Sequence, residues 1–473
     1  MRAAVVVTVA TLAGCALRTA PTHIEVVEQA LPKATSIPPA WRADPAGREV
    51  ANDWLKTLDD PALEAIVAEA IANNLDLRAA ATRVTIAQQT VVVVGAQLQP
   101  QVGAVLGGRT TRDDDHDSNF NAWAAYAGVA WELDVWGKLR AQRAAAEAGS
   151  EATALDYAYA RQSLAATTAK VWYLAIETRQ LLALSEQAVR IYGDLLALVE
   201  VRRSAGKDSN LDVVDVRARL ETAQSEVEQA RALYGEVRRA LEVLLGRYPA
   251  AEIEVAAMYP ALPPFAGLGV PSTLLERRPD IVAAERAVLA AFRNEEAAQL
   301  ALLPDFSISL VGGRIGDPLL SVLRLNPWLA SAAIGVTIPI YEGGALRAQV
   351  QIATAQQAQA VARYGAIALT AFREVETSLA NERLLALQRP LDQKALDDRT
   401  QAVRIATIQY KAGRRDLLWV AQLQSAALAS EANLIKLQSA QCVNRVRLHQ
   451  VLGGSFDAAP AMTISVPVAR GNE

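Results

Sequence analysis

Residues that build metal sites and disulfide frameworks are scarce in this sequence. Its 473 residues include 3 histidines, 3 methionines and 2 cysteines. The histidines stand at positions 23, 116 and 449, a spacing that no metal-ligand motif uses. No Gly-x-Ser-x-Gly elbow occurs, and the glycine cluster at 312–316 is not followed by the lysine of a phosphate-binding loop. The sequence therefore predicts a protein that is not an enzyme and that holds no metal and no cofactor.

An excess of positive charge is also missing. Lysine and arginine number 47 against 51 aspartates and glutamates, so the formal net charge is -4. Proteins that bind nucleic acids concentrate lysine and arginine on one surface to neutralise the phosphates. Here the two signs are mixed along the chain. We therefore expect no nucleic-acid partner.

Apolar runs of about 18 residues, which could cross a bilayer as a helix, are absent. Residues 1–14 have the positively charged start and short apolar core of a secretory signal peptide. This segment ends in Leu12-Ala13-Gly14-Cys15, which resembles the bacterial lipobox. The resemblance implies that Cys15 is lipidated and that, with Ala16 after it, the protein is sent to the outer membrane. The remaining cysteine, Cys442, then has no intramolecular disulfide partner.

The chain contains an internal duplication. Segments about 207 residues apart match in pattern, and glycines show the offset at positions 137 and 344, 206 and 413, and 246 and 453. Upstream of these segments the offset is about 204, with Asp76 over Asp280 and Pro100 over Pro304. A repeat of this length is an architectural unit. Each half is predicted to contain helices, two strands and a long helical hairpin.

Proline is absent between Pro100 and Pro249. The stretch from Lys138 to Ala205 therefore predicts one helix, roughly 100 Å long at 1.5 Å per residue. Glycines at 206 and 413 are placed to end the long helices in left-handed caps. The two halves thus predict antiparallel hairpins over 138–247 and 344–453. Pro390 lies inside the second long helix and is predicted to kink or break it.

Apolar residues along the hairpins alternate spacings of three and four, the pattern of a coiled-coil seam. The first hairpin carries this seam at Val216, Leu220, Ala223, Val227, Ala230, Tyr234, Val237, Leu241 and Leu244. The second hairpin repeats it with polar members at Ser430, Gln441 and Asn444. These polar members predict looser packing or a stretch that faces water.

Four segments have the alternation of strands, around 101–109, 121–133, 305–313 and 330–341. In the second, Trp123 and Trp131 lie on one apolar face, about 26 Å apart, which is the height of the apolar band between the aromatic girdles of an outer-membrane barrel. That face is predicted to touch lipid, with both tryptophans in the girdle. The alternative is a soluble sheet with one buried face.

Four strands cannot close a transmembrane barrel. The smallest closed barrels have about eight strands, and an open edge in lipid leaves backbone groups unpaired. Two copies of the chain would supply eight strands and three copies would supply twelve. A lumen wide enough for solutes favours three copies.

Three motifs resemble one known family. The segments 131–140 and 338–344 are similar to the paired strand-to-helix signatures of the TolC and OprM outer-membrane efflux proteins, and Tyr410-Lys411-Ala412-Gly413 is similar to their hairpin-tip motif. The resemblance covers essentially the whole mature chain, and the lipobox places it with the lipoprotein branch. It implies a mainly α fold with a twelve-stranded transmembrane β-barrel completed by a homotrimer and a long coiled-coil helical barrel in the periplasm. It also implies two partners, a periplasmic adaptor (membrane fusion) protein and an inner-membrane pump of the resistance-nodulation-division type.

The expected organisation follows from the repeat and the motifs. Residues 15–60 form a lipid-anchored extension in the outer membrane, 61–250 the first repeat, 251–271 a linker, 272–455 the second repeat and 456–473 a tail.

The hairpin tips would lie farthest from the membrane, where a partner docks and the tunnel narrows. In the family, contacts between tips hold the entrance shut. The resemblance therefore implies a gate formed by Asp208, Asp212, Asp215, Tyr410, Arg414, Arg415, Asp416, Leu418 and Gln422. Gln422 departs from the pattern, because many relatives carry an aspartate there as part of an acidic ring. Two alternatives follow: the ring is weaker in this protein, or Asp215 and Asp416 supply its charge. The alternative for these charged residues is a solvated helix end.

The function expected from the resemblance is that of a passive duct that exports drugs or other small molecules as part of a tripartite efflux pump. One alternative is the outer-membrane duct of a type I protein secretion system. A second, of another class, is a periplasmic adaptor or structural protein built from coiled-coil hairpins. As a hypothesis, replacing both Asp208 and Asp416 by alanine should raise the leak conductance if these residues latch the tips.

Overall fold

A computed structural model of the chain describes residues 17–43, 52–113, 118–263, 269–316 and 328–456. The predicted signal peptide, Cys15 and the predicted tail from 457 onward lie outside these ranges. The described chain is mainly helical, with one small sheet. Within it, no helix is both long and apolar enough to cross a membrane.

The two repeats have matching elements. A short helix, α1 (His23–Ala30), precedes the first repeat, which comprises α2 (Pro61–Asn73), α3 (Leu75–Ala96), β1 (Gln101–Asp113), β2 (Ser118–Leu133), α4 (Lys138–Ser204) and α5 (Asn210–Leu244). The second repeat comprises α6 (Pro271–Arg277), α7 (Pro279–Leu300), β3 (Asp305–Gly316), β4 (Trp328–Thr337), α8 (Ala345–Lys411) and α9 (Leu417–Val451). Both long helices α4 and α8 have 67 residues, and both return helices α5 and α9 have 35.

The second long helix is continuous through Pro390. Of the predicted kink or break, the break is therefore wrong, and the kink stays a prediction. Proline removes the hydrogen bond that residue 390 would donate to the carbonyl of Ala386. Ala386 is exposed, so water can satisfy its carbonyl. The loss of one bond in a helix of 67 residues therefore does not end it.

The polar members of the second seam are packed, contrary to the expectation of a loose or water-facing stretch. Asn444 is buried, and its side-chain amide donates to the Ser378 carbonyl (3.1 Å) and to Glu382 Oε2 (2.9 Å). Gln441 donates to the Leu385 carbonyl at 3.1 Å. A buried amide is tolerated when its donors find acceptors. The partners lie on α8, about sixty residues away in sequence, so the seam pattern alone could not identify them.

The sheet is a four-stranded antiparallel meander in the order β1-β2-β3-β4. The register places Val129 between Val102 and Leu310, and Trp131 beside Ile308, so the apolar residues of the four strands share one face. The opposite face carries glycine, serine and other small residues at most positions. The fourth strand ends at Thr337 instead of about residue 341, and Pro339 beyond it has no N–H with which to extend the ladder.

Burial of His449 predicts a dependence of stability on pH. The ring stacks on Trp54 with 5.8 Å between centroids and lies 3.4 Å from Thr57 Oγ1. Burial first, and then the charge of Arg445, lowers the pKa of His449 to about 3.

The pKa of His449 in the folded protein lies below the value of 6.5 in the unfolded chain. The neutral His449 ring therefore contributes fully to stability above about pH 6.5, and this contribution is lost as the pH falls toward 3. We expect the melting temperature to drop between pH 7 and pH 4.5 in the wild type and to drop less in His449→Gln. An equal drop in both proteins would contradict this assignment. Thermal unfolding of the detergent-solubilised protein measures it.

Candidate functional site

The tips of the two helical hairpins are built by tight caps. Gly206 (φ 72°) ends α4 and Gly413 (φ 71°) ends α8 in the left-handed region, where a side chain would strain the backbone. In each turn the next N–H reaches back five residues, from Lys207 to the Arg202 carbonyl and from Arg414 to the Gln409 carbonyl, both at 2.9 Å. These bonds turn the chain sharply and keep each hairpin closed at its tip.

A charged cluster joins the two tips within one chain. Arg202 Nε lies 2.9 Å from Asp208 Oδ2, and its Nη2 lies 3.2 Å from Asp208 Oδ1. The Tyr410 hydroxyl of the other hairpin donates to the same carboxylate, and the Arg202 guanidinium lies 4.4 Å from the centre of the Tyr410 ring. Arg202 and Asp208 are nearly buried, at 13% and 8% side-chain exposure. We call these three residues the tip cluster.

Electrostatics stabilises the tip cluster in its charged form. Burial tends to raise the pKa of Asp208, but the hydrogen bonds from Arg202 and Tyr410 outweigh it and hold that pKa below the usual range. The bond to Asp208 raises the pKa of Arg202, while burial, followed by the bond to Asp208, raises that of Tyr410. At neutral pH the cluster therefore contains one cation, one anion and one neutral phenol.

The other residues of the predicted gate do not join this cluster. Asp212 accepts from the Ser209 N–H (2.8 Å) in a capping box at the start of α5, and Asp416 accepts from the Trp419 N–H (3.1 Å) at the start of α9. Both carboxylates hold helix N-termini. The exposed remainder of the predicted set is Arg414, Arg415, Leu418 and Gln422.

Asp215 lies on α5, beyond the turn that forms the tip of the first hairpin. Its Oδ2 pairs with Arg219 Nε at 2.8 Å, one helical turn further along α5. Both residues line a cleft of about 780 Å³ between α4, α5 and α9, in which the Tyr192 hydroxyl meets Ser425 Oγ at 2.9 Å. Among the predicted gate residues, the structure thus brings together Asp208 and Tyr410. Sequence reasoning did not single out Arg202 among the charged residues at the tip, because its role depends on a fold that apposes the two hairpins.

Large apolar side chains are also exposed near the tips. They are Val201 (67%), Leu211 (76%), Val214 (51%), Leu418 (50%) and Trp419 (46%). Both hairpins contribute to this set, and the Arg415 guanidinium lies over the Trp419 ring, 5.5 Å from its centre. Exposed apolar groups grouped around a charged cluster are a feature of surfaces that contact other proteins.

The sheet carries tryptophans at both ends of its apolar face. Trp123 is half exposed and Trp328 is 72% exposed at one end, and Trp131 is 37% exposed at the other. The Trp131 indole donates to the Leu98 carbonyl (3.1 Å), and the Trp136 indole, in the link to α4, donates to the Pro304 carbonyl (2.8 Å). Trp328 was missed in the sequence because it opens its strand, where alternation gives no signal.

No group of three or more histidine, cysteine or acidic residues that could hold a metal ion occurs in the described ranges.

Comparison with known proteins identifies the family. Residues 66–247 and 270–454, one segment in each repeat, match the family model of the outer membrane efflux protein. The chain belongs to the outer membrane efflux protein family.

Relatives within this family cover nearly the whole chain. It is 29% identical over 438 residues to the pyoverdine export outer membrane protein OpmQ of Pseudomonas putida, which covers 89% of this chain and 93% of OpmQ. It is 28% identical over 442 residues to the toluene efflux pump outer membrane protein TtgC of the same species, and this alignment covers 90% of this chain and 89% of TtgC. These matches confirm the prediction of an outer-membrane channel component of an efflux system.

Solved structures agree on the fold. The outer-membrane channel OprN superimposes with a TM-score of 0.80 at 24% identity, over 90% of this chain and 99% of that one. At this identity the likeness concerns the fold alone. It confirms the predicted fold class, a mainly helical chain with a small sheet.

Proposed function

We propose that this protein is the passive outer-membrane duct of a tripartite efflux pump, working as a homotrimer that exports small molecules and performs no chemistry of its own. The observation that carries the proposal is the sheet. One face is apolar, ends in tryptophans and is exposed in the single chain, and the two outer strands each have an unpaired edge. Such a sheet suits a lipid environment only when further strands complete it.

The strand directions support closure by copies of the same chain. In the meander, β1 and β4 run antiparallel to each other, so β4 of one copy can pair with β1 of the next in the same way as the pairs within the chain. Three copies supply twelve strands and leave a lumen for solutes. Leu384, Leu387 and Leu391 form an exposed apolar stripe on α8, which a neighbouring copy would cover.

The tips are proposed as the entrance and the docking point. The tip cluster ties one hairpin to the other in each copy, and the exposed apolar groups around it suit contact with the tip of a periplasmic adaptor protein. The adaptor would favour an open arrangement by contacts that the closed one lacks. An inner-membrane pump of the resistance-nodulation-division type is the proposed source of energy, and lipidation of Cys15 the proposed anchor.

Small-molecule export is favoured over protein secretion by the relatives. The names of OpmQ and TtgC refer to pyoverdine and to toluene, a siderophore and a hydrocarbon with little chemistry in common. A duct that serves such different solutes makes generic contacts with them. We therefore assign the choice of substrate to the pump and adaptor.

A matched pair of variants tests which face meets lipid. Leu310 and Val311 are neighbours in β3 on opposite faces, since Leu310 pairs with Val129 and Val311 with Gly128. We expect Leu310→Arg to lose about 2–4 kcal/mol near the bilayer midplane and to reduce trimer assembly in membranes. Val311→Arg should assemble normally and change the ion selectivity of the lumen.

Oligomer mass in detergent and single-channel conductance in planar bilayers measure both effects. A monomeric wild type without channel activity would contradict the trimeric duct. Equal loss of assembly in the two variants would contradict the assignment of the faces. Normal assembly of Leu310→Arg with altered selectivity would mean that the faces are reversed.

A further inference from the structure

The N-terminal segment, residues 17–43, lies along helices α7 and α8. His23 Nδ1 is 2.7 Å from Glu285 Oε2 on α7. Further along, the backbone N–H groups of Arg42 and Ala43 each donate to the Glu376 carboxylate of α8 at 2.9 Å. The segment is thus fixed to the second repeat at several points through acidic side chains of these two helices.

A further attachment lies at the beginning of the segment, where Arg18 contacts α7. Arg18 Nη1 is 2.7 Å from Glu295 Oε2, and the Arg18 backbone N–H donates to Glu296. The Arg18 carbonyl accepts from Arg293 Nη1 at 2.8 Å, and the guanidinium of Arg18 lies 4.8 Å from the centre of the Phe292 ring. Side chain, N–H and carbonyl of one residue are therefore all held by a single helix. We call this arrangement the Arg18 clamp.

The acidic pair in the clamp depends on these contacts. The side chains of Glu295 and Glu296 are 7% and 4% exposed. Arg293 pairs with Glu296 at 2.6 Å, so Arg18 is the cation that accompanies Glu295. Buried carboxylates next to each other are costly unless each has a partner. Gln299 of the same helix also donates to Glu295, and the N-terminal segment adds the Arg18 cation for Glu295 and the Arg18 N–H for Glu296.

The first repeat has no such group. Helix α3 corresponds to α7, and both have 22 residues. At the positions of Phe292, Arg293, Glu295 and Glu296, helix α3 carries Gln88, Gln89, Val91 and Val92. The equivalent helix therefore forms without the acidic pair. Helix formation does not require these residues, which points to a role specific to the N-terminal segment.

We propose that the Arg18 clamp positions the N-terminal lipid anchor, holding the point where the acylated chain enters the membrane at the barrel-proximal end of α7. Residue 15 is three residues from Arg18, so it can lie at most roughly 11 Å from the clamp. Glu295 and Glu296 are within about two turns of the end of α7, after which the chain enters β3. The proposal rests on the proposed lipidation of Cys15.

Trypsin cleavage of the full-length protein in lipid vesicles tests the clamp, because Arg18 is itself a cleavage site. Lys33 is exposed in the same segment and serves as an internal control. In the wild type, cleavage after Arg18 should be much slower than cleavage after Lys33. In the double variant Glu295→Gln/Glu296→Gln, cleavage after Arg18 should become about tenfold faster, because cleavage follows the population of the opened segment, while cleavage after Lys33 should stay the same.

A third protein controls for the removal of negative charge near α7. Glu151→Gln breaks an exposed pair with Arg286 of α7 and should leave both cleavage rates unchanged. Equal rates at Arg18 and Lys33 in the wild type would overturn the clamp. Acceleration at both sites in the double variant would also overturn it, since this would mean general loosening. The mass of the released peptide 15–18 reports acylation separately, so failure of the lipid anchor is distinguished from failure of the clamp.

A distance measurement tests positioning directly. Nitroxide labels at Thr19→Cys and Leu302→Cys should give a narrow distance distribution, and adding Arg18→Ala should broaden it. Cys442 is buried, and burial raises the pKa of its thiol to about 12, so it stays unlabelled. Arg18→Lys keeps the charge but not the planar guanidinium that lies over the Phe292 ring, and it should give an intermediate width. Equal widths in wild type and Arg18→Ala would overturn the proposal.

Discussion

Asp208→Ala is expected to increase the open probability of the channel. The substitution removes the carboxylate that Arg202 and Tyr410 share and so weakens the link between the tips of the two hairpins. If this link contributes about 1–3 kcal/mol to the closed arrangement, the ratio of closed to open channels should fall by about 5- to 150-fold. Single-channel recording in planar bilayers measures the ratio. Unchanged open probability would remove Asp208 from the gate.

Asp416→Ala is the matched control for this experiment. Asp416 also lies at a tip, but its side chain caps α9 by accepting from the Trp419 N–H. Loss of such a cap should cost about 1 kcal/mol of stability without opening the channel. We therefore expect the double variant Asp208→Ala/Asp416→Ala to conduct like Asp208→Ala alone. An equal effect of the two single variants would favour a general role of acidic charge at the entrance.

Acid should disrupt the tip cluster only at low pH. The pKa of Asp208 is held below its ordinary value of 3.8. The stabilisation that the tip cluster gives to the closed arrangement is therefore complete above about pH 4, and it is lost as the pH falls through the lower pKa of Asp208 in the folded protein. Conductance of the wild type should therefore be the same at pH 7 and pH 5. A rise between these values would point to a different titrating group.

Arg278→Ala is expected to have the largest effect on stability. Arg278 is 4% exposed, and its guanidinium lies 2.8 Å from both Asp280 and Glu374 and 3.4 Å from the Val451 carbonyl. Burial opposes its charge, but the two carboxylates raise its pKa, so it stays protonated. Its removal leaves two partly buried carboxylates without their shared cation, at a cost of roughly 3–5 kcal/mol.

Arg286→Ala is the matched control, because Arg286 lies on α7, the helix that Arg278 precedes, in an exposed pair with Glu151. Pairs of this kind contribute about 0–1 kcal/mol. Denaturation of the detergent-solubilised protein should therefore separate the two variants clearly. Similar stability of Arg278→Ala and the wild type would show that the two remaining carboxylates rearrange or take up water without loss of stability.

Arg278 has a counterpart in the first repeat, Asn74, which makes an equivalent hydrogen bond. Arg278 precedes α7 as Asn74 precedes α3, and the Asn74 amide donates to the Leu244 carbonyl of α5 at 3.1 Å. Both residues therefore bond the last carbonyl of the return helix in their own repeat. Arg278 additionally joins α7 to Glu374 of α8. The two repeats share a backbone plan and differ in the side chains that fix it.

The sequence by itself determined the features that depend on local pattern. The offset of about 207 residues predicted two equivalent hairpins, and glycines at 206 and 413 marked their turns because these positions require a left-handed backbone. Alternation predicted the four strands and their apolar face, since side chains in a strand point to opposite sides in turn. The motifs of the strand-to-helix links were specific enough to indicate the family.

Tertiary structure alone decided which residues meet. The tip cluster joins Asp208 to Tyr410, and the Arg18 clamp joins residues separated by more than 270 positions. The polar residues of the second seam were misjudged because their acceptors lie on α8. Sequence spacing gives the face of a helix on which a residue lies, but whether a polar group there is solvated or bonded depends on what the fold places opposite it. Partners distant in sequence leave no local periodicity, and for this reason the tip cluster and the Arg18 clamp became visible only in the folded chain.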